Sequence, residues 1–157
     1  MSKAFTRESD DGPDLPAPIR PISPLPPGVK NYITAAGVEQ LRAELIRLAQ
    51  AERPRPASLD QRIAQLEAAL RSGVVVPVPE KPLDEVRFGA TVTVRDRAGE
   101  ESRYRIVGVD ETDVDRDWVS WRSPIATALL NARIGRRVRF RVPAGEQELE
   151  VVAIAYG

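Results

Sequence analysis

The chain has 157 residues, 42% of them apolar, with 23 basic residues balanced by 23 acidic ones. That is enough apolar material for one domain or two small ones, and zero net charge leaves no global basic surplus, so any nucleic-acid contact needs a local patch. Cysteine and histidine are both absent, which excludes disulfides, thiolate and imidazole chemistry and the usual zinc sites, leaving carboxylates as metal ligands.

Residues 1–30 hold seven of the fourteen prolines, all of them in "PDLPAPIRPISPLPP", and no helical or alternating pattern survives there. Fixed φ angles and missing N–H groups predict an extended, disordered leader, open as a linker, a tail or a PxxP ligand. The opening "MSKAFTRESDDG" has no apolar h-region, and runs such as "IATALL" are too short to span a bilayer. A soluble cytoplasmic protein without a membrane contact is expected.

A helical hairpin is predicted over residues 31–73. Thr34 stands as an N-cap, after which Val38, Leu41, Leu45 and Leu48 recur at spacings of 3, 4 and 3. Beyond "AERPRPAS" the apolar seam resumes at Leu59, Ile63, Leu66 and Leu70. Two such seams joined by a short proline-containing break bury each other by folding back antiparallel, as a coiled-coil hairpin. Arms of about 17 and 15 residues are roughly 22 to 26 Å long. Gly73 ends the second helix, and residues 74–83, "VVVPVPEKPL", read as a proline-rich linker.

Residues 84–157 read as strands with one short helix. "TVTVRD" alternates into a turn, followed by "SRYRIVGV", the acidic turn "DETDVDR", and "DWVSW". In "SPIATALL" Ser123 is an N-cap with Pro124 at the first helical position. "RVRFRV" alternates strictly, turns at "PAGE", and the chain closes on "LEVVAIAY". The predicted class is α+β: the hairpin, then an antiparallel sheet with one short helix packed across it.

Over residues 31–157 the sequence resembles the bacterial Gre family of transcript-cleavage and elongation factors, closer to its GreB branch. "YITAAGVEQLRAEL" and "RIAQLEAAL" match the hairpin, and "FGATV", "YRIVGVDE", "SPIATALLNARIG" and "VPAGE" follow in the family's order and spacing. The resemblance implies an FKBP-like C-terminal domain that docks on RNA polymerase near its secondary channel, with a hairpin that enters the channel. It also carries a polymerase-binding segment over to Ser123, Pro124, Ile125, Leu129 and Leu130, for which the alternative is a capped helix with leucines in the core. The cleavage factors carry an acidic tip that helps hold a magnesium ion at the polymerase active site. Here "ERPRPA" runs directly into "SLDQRIAQLE", as in Rnk-like relatives that pair such a domain with a short hairpin. The tip keeps Asp60 among Arg53, Arg55 and Arg62, and Glu52 lies close by.

Arg133 to Arg141 is the densest basic run, and on an alternating strand Arg137, Arg139 and Arg141 share one face. That ladder fits phosphate or an acidic partner, and fits equally a charge-protected edge strand. Asp113, Asp115 and Asp117 imitate the start of a calcium loop, but Trp118 stands where glycine is needed and Pro124 where the closing glutamate belongs. Trp118, Trp121, Tyr104 and Phe88 are expected in the core. The leading expectation is a monomeric, non-enzymatic elongation regulator that binds bacterial RNA polymerase, uses no cofactor or metal and does not stimulate cleavage. Alternatives are an active cleavage factor using Asp60 and Glu52, a prolyl isomerase suggested by fold alone, and a nucleic-acid binder making weak contact through the arginine run.

Overall fold

The structure, a computed structural model, describes residues 25–81 and 83–156. Residues 1–24 of the proline-rich leader lie outside that range. In chain order the elements are β1 (Asn31–Thr34), α1 (Ala35–Ala49), α2 (Ala57–Ser72), β2 (Gly73–Val76), β3 (Thr91–Arg95), β4 (Glu101–Val107), β5 (Trp118–Ser120), α3 (Pro124–Leu129), β6 (Arg137–Val142) and β7 (Gly145–Ala155).

Thr34 starts α1 as the sequence predicts. Its backbone is extended, and its hydroxyl accepts from the Gly37 N–H at 2.9 Å, satisfying one of the free donors of the first turn. Helices α1 and α2, of 15 and 16 residues, meet along the expected seam. Leu41 and Leu66 are buried at its centre together with Ile33 and Ala69, while Val38, Leu45, Leu48 and Leu70 flank them. Leu59 and Ile63, nearer the tip, are only half-buried.

The predicted linker begins differently. Gly73–Val76 form β2, which pairs in parallel with β1 in the register Asn31↔Gly73 to Thr34↔Val76. A parallel pair needs a long crossover, and the helical hairpin supplies it. The strand was hidden because a three-valine run before a proline carries no periodicity.

The C-terminal sheet has the order β5-β4-β3-β7-β6. Its β3–β4, β3–β7 and β6–β7 pairs are antiparallel, but β4–β5 is parallel. This corrects the expected wholly antiparallel sheet. The chain reverses inside the acidic loop, where Asp113 and Trp118 exchange backbone hydrogen bonds, and so enters β5 in the direction of β4. A register shift on β7 opposite Thr93 and Val94 marks a bulge.

Alternation sends Val92, Val94, Ile106, Val138, Leu149 and Val151 to one face, where α3 covers them with Ala126 and Leu129. Phe88, Tyr104 and Trp121 pack against this core as expected. Trp118 does not. Its neighbour Val119 takes the inward position on the edge strand, so the indole faces outward, with the guanidinium groups of Arg105 and Arg116 at 4.9 and 5.1 Å from its ring.

Candidate functional site

At the hairpin tip Arg55 is folded inward, its side chain only 9% exposed. One guanidinium nitrogen lies 3.0 Å from the Asp60 carboxylate, and another donates to the carbonyl of Ala49 at 3.5 Å. Arg55 therefore joins the negative end of α1, where a cation complements the dipole, to Asp60 in the first turn of α2, where an acid does. Arg62 does not serve the tip. Its guanidinium makes two hydrogen bonds to Glu44 on the other arm. Arg53 is exposed beside Pro54. The four tip residues thus separate into one exposed arginine, one ion-paired arginine and aspartate, and one brace between the arms.

Around α3 the Ser123 hydroxyl accepts from the Ala126 N–H at 3.3 Å, the predicted cap. Pro124 is exposed, and Ile125 and Leu130 are half-buried. Leu129 is fully buried in the core, so it holds the helix to the sheet and cannot touch a partner. This removes one of the five sequence-predicted contact residues. The reason is helical spacing: Ala126 and Leu129, three apart, share the inward face.

The arginine ladder lies on edge strand β6, facing outward as the alternation predicts. Its register places Glu150 opposite Arg137, Glu148 opposite Arg139 and Glu146 opposite Arg141. Glu148 is the hub, with Arg97 at 3.0 Å, Arg139 at 3.1 Å and Arg137 at 3.8 Å. The hydrogen bond from Arg97 above all, with Arg139 beside it, holds the Glu148 carboxyl below the usual carboxylate range. A ladder of glutamates thus meets the ladder of arginines.

Sequence reasoning assigned no role to a fourth cluster, where the hairpin base meets the C-terminal domain. Glu111 is buried and its Oε2 accepts from the backbone N–H of Thr34 at 3.0 Å and of Gly108 at 2.7 Å. The Thr34 hydroxyl donates to Oε1 of the same carboxyl group. Both glycines permit the approach: a Cβ at Gly37 would lie 1.9 Å from Glu111 Oε1, and one at Gly108 would lie 2.2 Å from the Tyr32 carbonyl oxygen. Beside them the Asn31 amide donates to Ser72 at 3.1 Å and to Asp110 at 3.0 Å. The Tyr32 ring packs on Phe88 and Trp121, with centroids 6.0 and 5.3 Å away. The signal was present in "YIT" and "VGVDE", but a string does not say that the two segments touch.

Residues 80–156 match the family described as "Transcription elongation factor, GreA/GreB, C-term". Transcription elongation factor GreB of Neisseria meningitidis serogroup B is 35% identical over 154 positions, covering 81% of this chain and 94% of that protein. Transcription elongation factor GreA of Alkalilimnicola ehrlichii is 35% identical over 155 positions, covering 81% and 98%. Among solved structures, the transcription elongation factor GreA/GreB from Nitrosomonas europaea is 27% identical, with a TM-score of 0.44, covering 81% of this chain and 100% of that one.

Proposed function

Because this chain belongs to the GreA/GreB family of transcription elongation factors, we propose that it binds bacterial RNA polymerase near the secondary channel without stimulating transcript cleavage. The observation that carries this reading is the Arg55–Asp60 contact of 3.0 Å at the hairpin tip. A hard cation such as magnesium needs several oxygen ligands, and a water turned nucleophile at neutral pH needs a metal or a free carboxylate. Asp60 is already engaged by a guanidinium group, and among the described residues no three carboxyl groups converge.

Reach supports the same reading. The arms run 15 and 16 residues, which is about 22 to 24 Å. The 154-position alignment to the Neisseria protein takes in only 81% of this chain, so it contains positions that this chain lacks. Docking is assigned to the C-terminal domain through Pro124, Ile125 and Leu130, with Ser123 capping the helix that presents them. The arginine ladder receives no nucleic-acid role, because a glutamate stands opposite each arginine.

The test uses backtracked elongation complexes carrying labelled RNA. Added alone, the protein should leave transcripts at the intrinsic cleavage rate. Mixed with a cleavage-active Gre factor, it should suppress stimulated cleavage progressively, and excess Gre factor should restore it. Acceleration by this protein alone, abolished by Asp60→Asn, would overturn the proposal.

A further inference from the structure

The hairpin carries the tip and the C-terminal domain carries the docking helix, so the angle between them decides where the tip points. Glu111 is placed to set that angle. It belongs to the loop between β4 and β5, yet two of its contacts reach the cap of the first hairpin helix, the Thr34 N–H and the Thr34 hydroxyl, while a third, from the Gly108 N–H, ties it to its own loop. Thr34 in turn caps α1 through Gly37, so the carboxyl group acts on the helix start through a single intervening hydroxyl. The positive end of the α1 dipole lies beside the same group.

We propose that Glu111 is the positioning residue of the hairpin: clamped between the start of α1 and the β4–β5 loop, it holds the tip in one direction relative to the docking domain. Without it the chain docks but presents its tip over a range of directions. Gly37 belongs to the same device, because any side chain there would drive into the Glu111 carboxyl group. The functional half of this inference rests on the proposed polymerase binding, whereas the geometric half does not.

The absence of native cysteine makes the test direct. Ser58→Cys near the tip and Glu100→Cys on an exposed turn of the C-terminal domain place two spin labels at exposed positions. In the full chain the inter-label distance should be single and narrow. Glu111→Ala should broaden it or add a second population. Glu111→Gln should keep it narrow, because an amide oxygen in the Oε2 position still accepts from both backbone N–H groups. Gly37→Ala should broaden it from the helix side, with the C-terminal domain unaltered. If Glu111→Ala loses the near-ultraviolet signal of Trp118 and Trp121, Gly37→Ala decides by itself. A distance as narrow as the parent's in folded Glu111→Ala, or in Gly37→Ala where Glu111→Ala does not fold, overturns the proposal.

The second arm measures polymerase. If the variant keeps its tip in the productive direction only about a tenth of the time, it should be about tenfold weaker as a competitor of stimulated cleavage while the isolated docking step is preserved. Should the unsubstituted chain fail to bind polymerase, the functional proposal falls and the distance measurement still reports on Glu111.

Discussion

Arg62 on α2 closes two hydrogen bonds onto Glu44 of α1, at 2.8 and 3.0 Å, with both side chains about three-quarters buried. The fork geometry pins the two arms at one register, which apolar seams alone leave free to slide. A double-mutant cycle with Arg62→Ala and Glu44→Ala should return a coupling of about 0.5 to 1 kcal/mol in urea denaturation, weaker at high salt. A coupling of zero would show that the pair adds nothing to the register.

Burial ranks the seam. Leu66 is 1% exposed and Leu45 is half-buried. Leu66→Ala should cost about 2 to 5 kcal/mol in chemical denaturation, through lost transfer energy and the cavity left behind. Leu45→Ala should cost distinctly less. The reverse order would mean that the arms are rotated.

Helix α3 separates folding from docking. Leu129→Ala should lower stability by about 2 to 5 kcal/mol, because its side chain lies wholly in the core. Pro124→Arg should leave stability within about 0.5 kcal/mol, since the position is exposed. The same change should weaken polymerase binding by burying an unpaired charge at the contact. Undiminished binding by the folded Pro124→Arg protein would move the docking surface elsewhere.

Glu148 ties the outer face of the sheet to acid stability. Its carboxyl is held below the ordinary range in the fold, so its contribution is present above the unfolded-state value and is lost as the pH falls through the folded one. The stability difference between the parent and Glu148→Gln should therefore shrink on acidification below the ordinary carboxylate range. Thermal melts of both proteins across that range would show it. A difference independent of pH would assign the effect to shape alone.

Tyr156 works at the alkaline end. Its hydroxyl donates to the Glu85 carbonyl at 2.6 Å and accepts from the Arg87 N–H at 2.9 Å, and burial pushes the phenol up from its ordinary value. Its contribution is complete below the unfolded-state value of about 10 and is lost as the pH rises through the folded one. Tyr156→Phe should cost about 1 to 2 kcal/mol near neutrality, because it removes both bonds. Above that range the gap to the parent should narrow.

Local chemistry carried much of this protein in its sequence. Thr34 and Ser123 announced their helices because capping needs a side-chain oxygen three residues before a free N–H, and the Arg137, Arg139 and Arg141 face followed from the strand's period of two. The family was legible too, since its motifs stand in order along the chain. What lies across the fold was not legible. Parallel pairing of β2 with β1 and of β5 with β4 depends on where a crossover delivers the chain, which no local pattern encodes. Leu129 needed the sheet to be in place before its inward side could be told from its outward one. Above all, Glu111 and Thr34 are 77 residues apart, and each taken alone is an acid in a loop and a helix cap. Only the folded chain brings them together, because burying a carboxyl group requires donors that neither segment holds by itself.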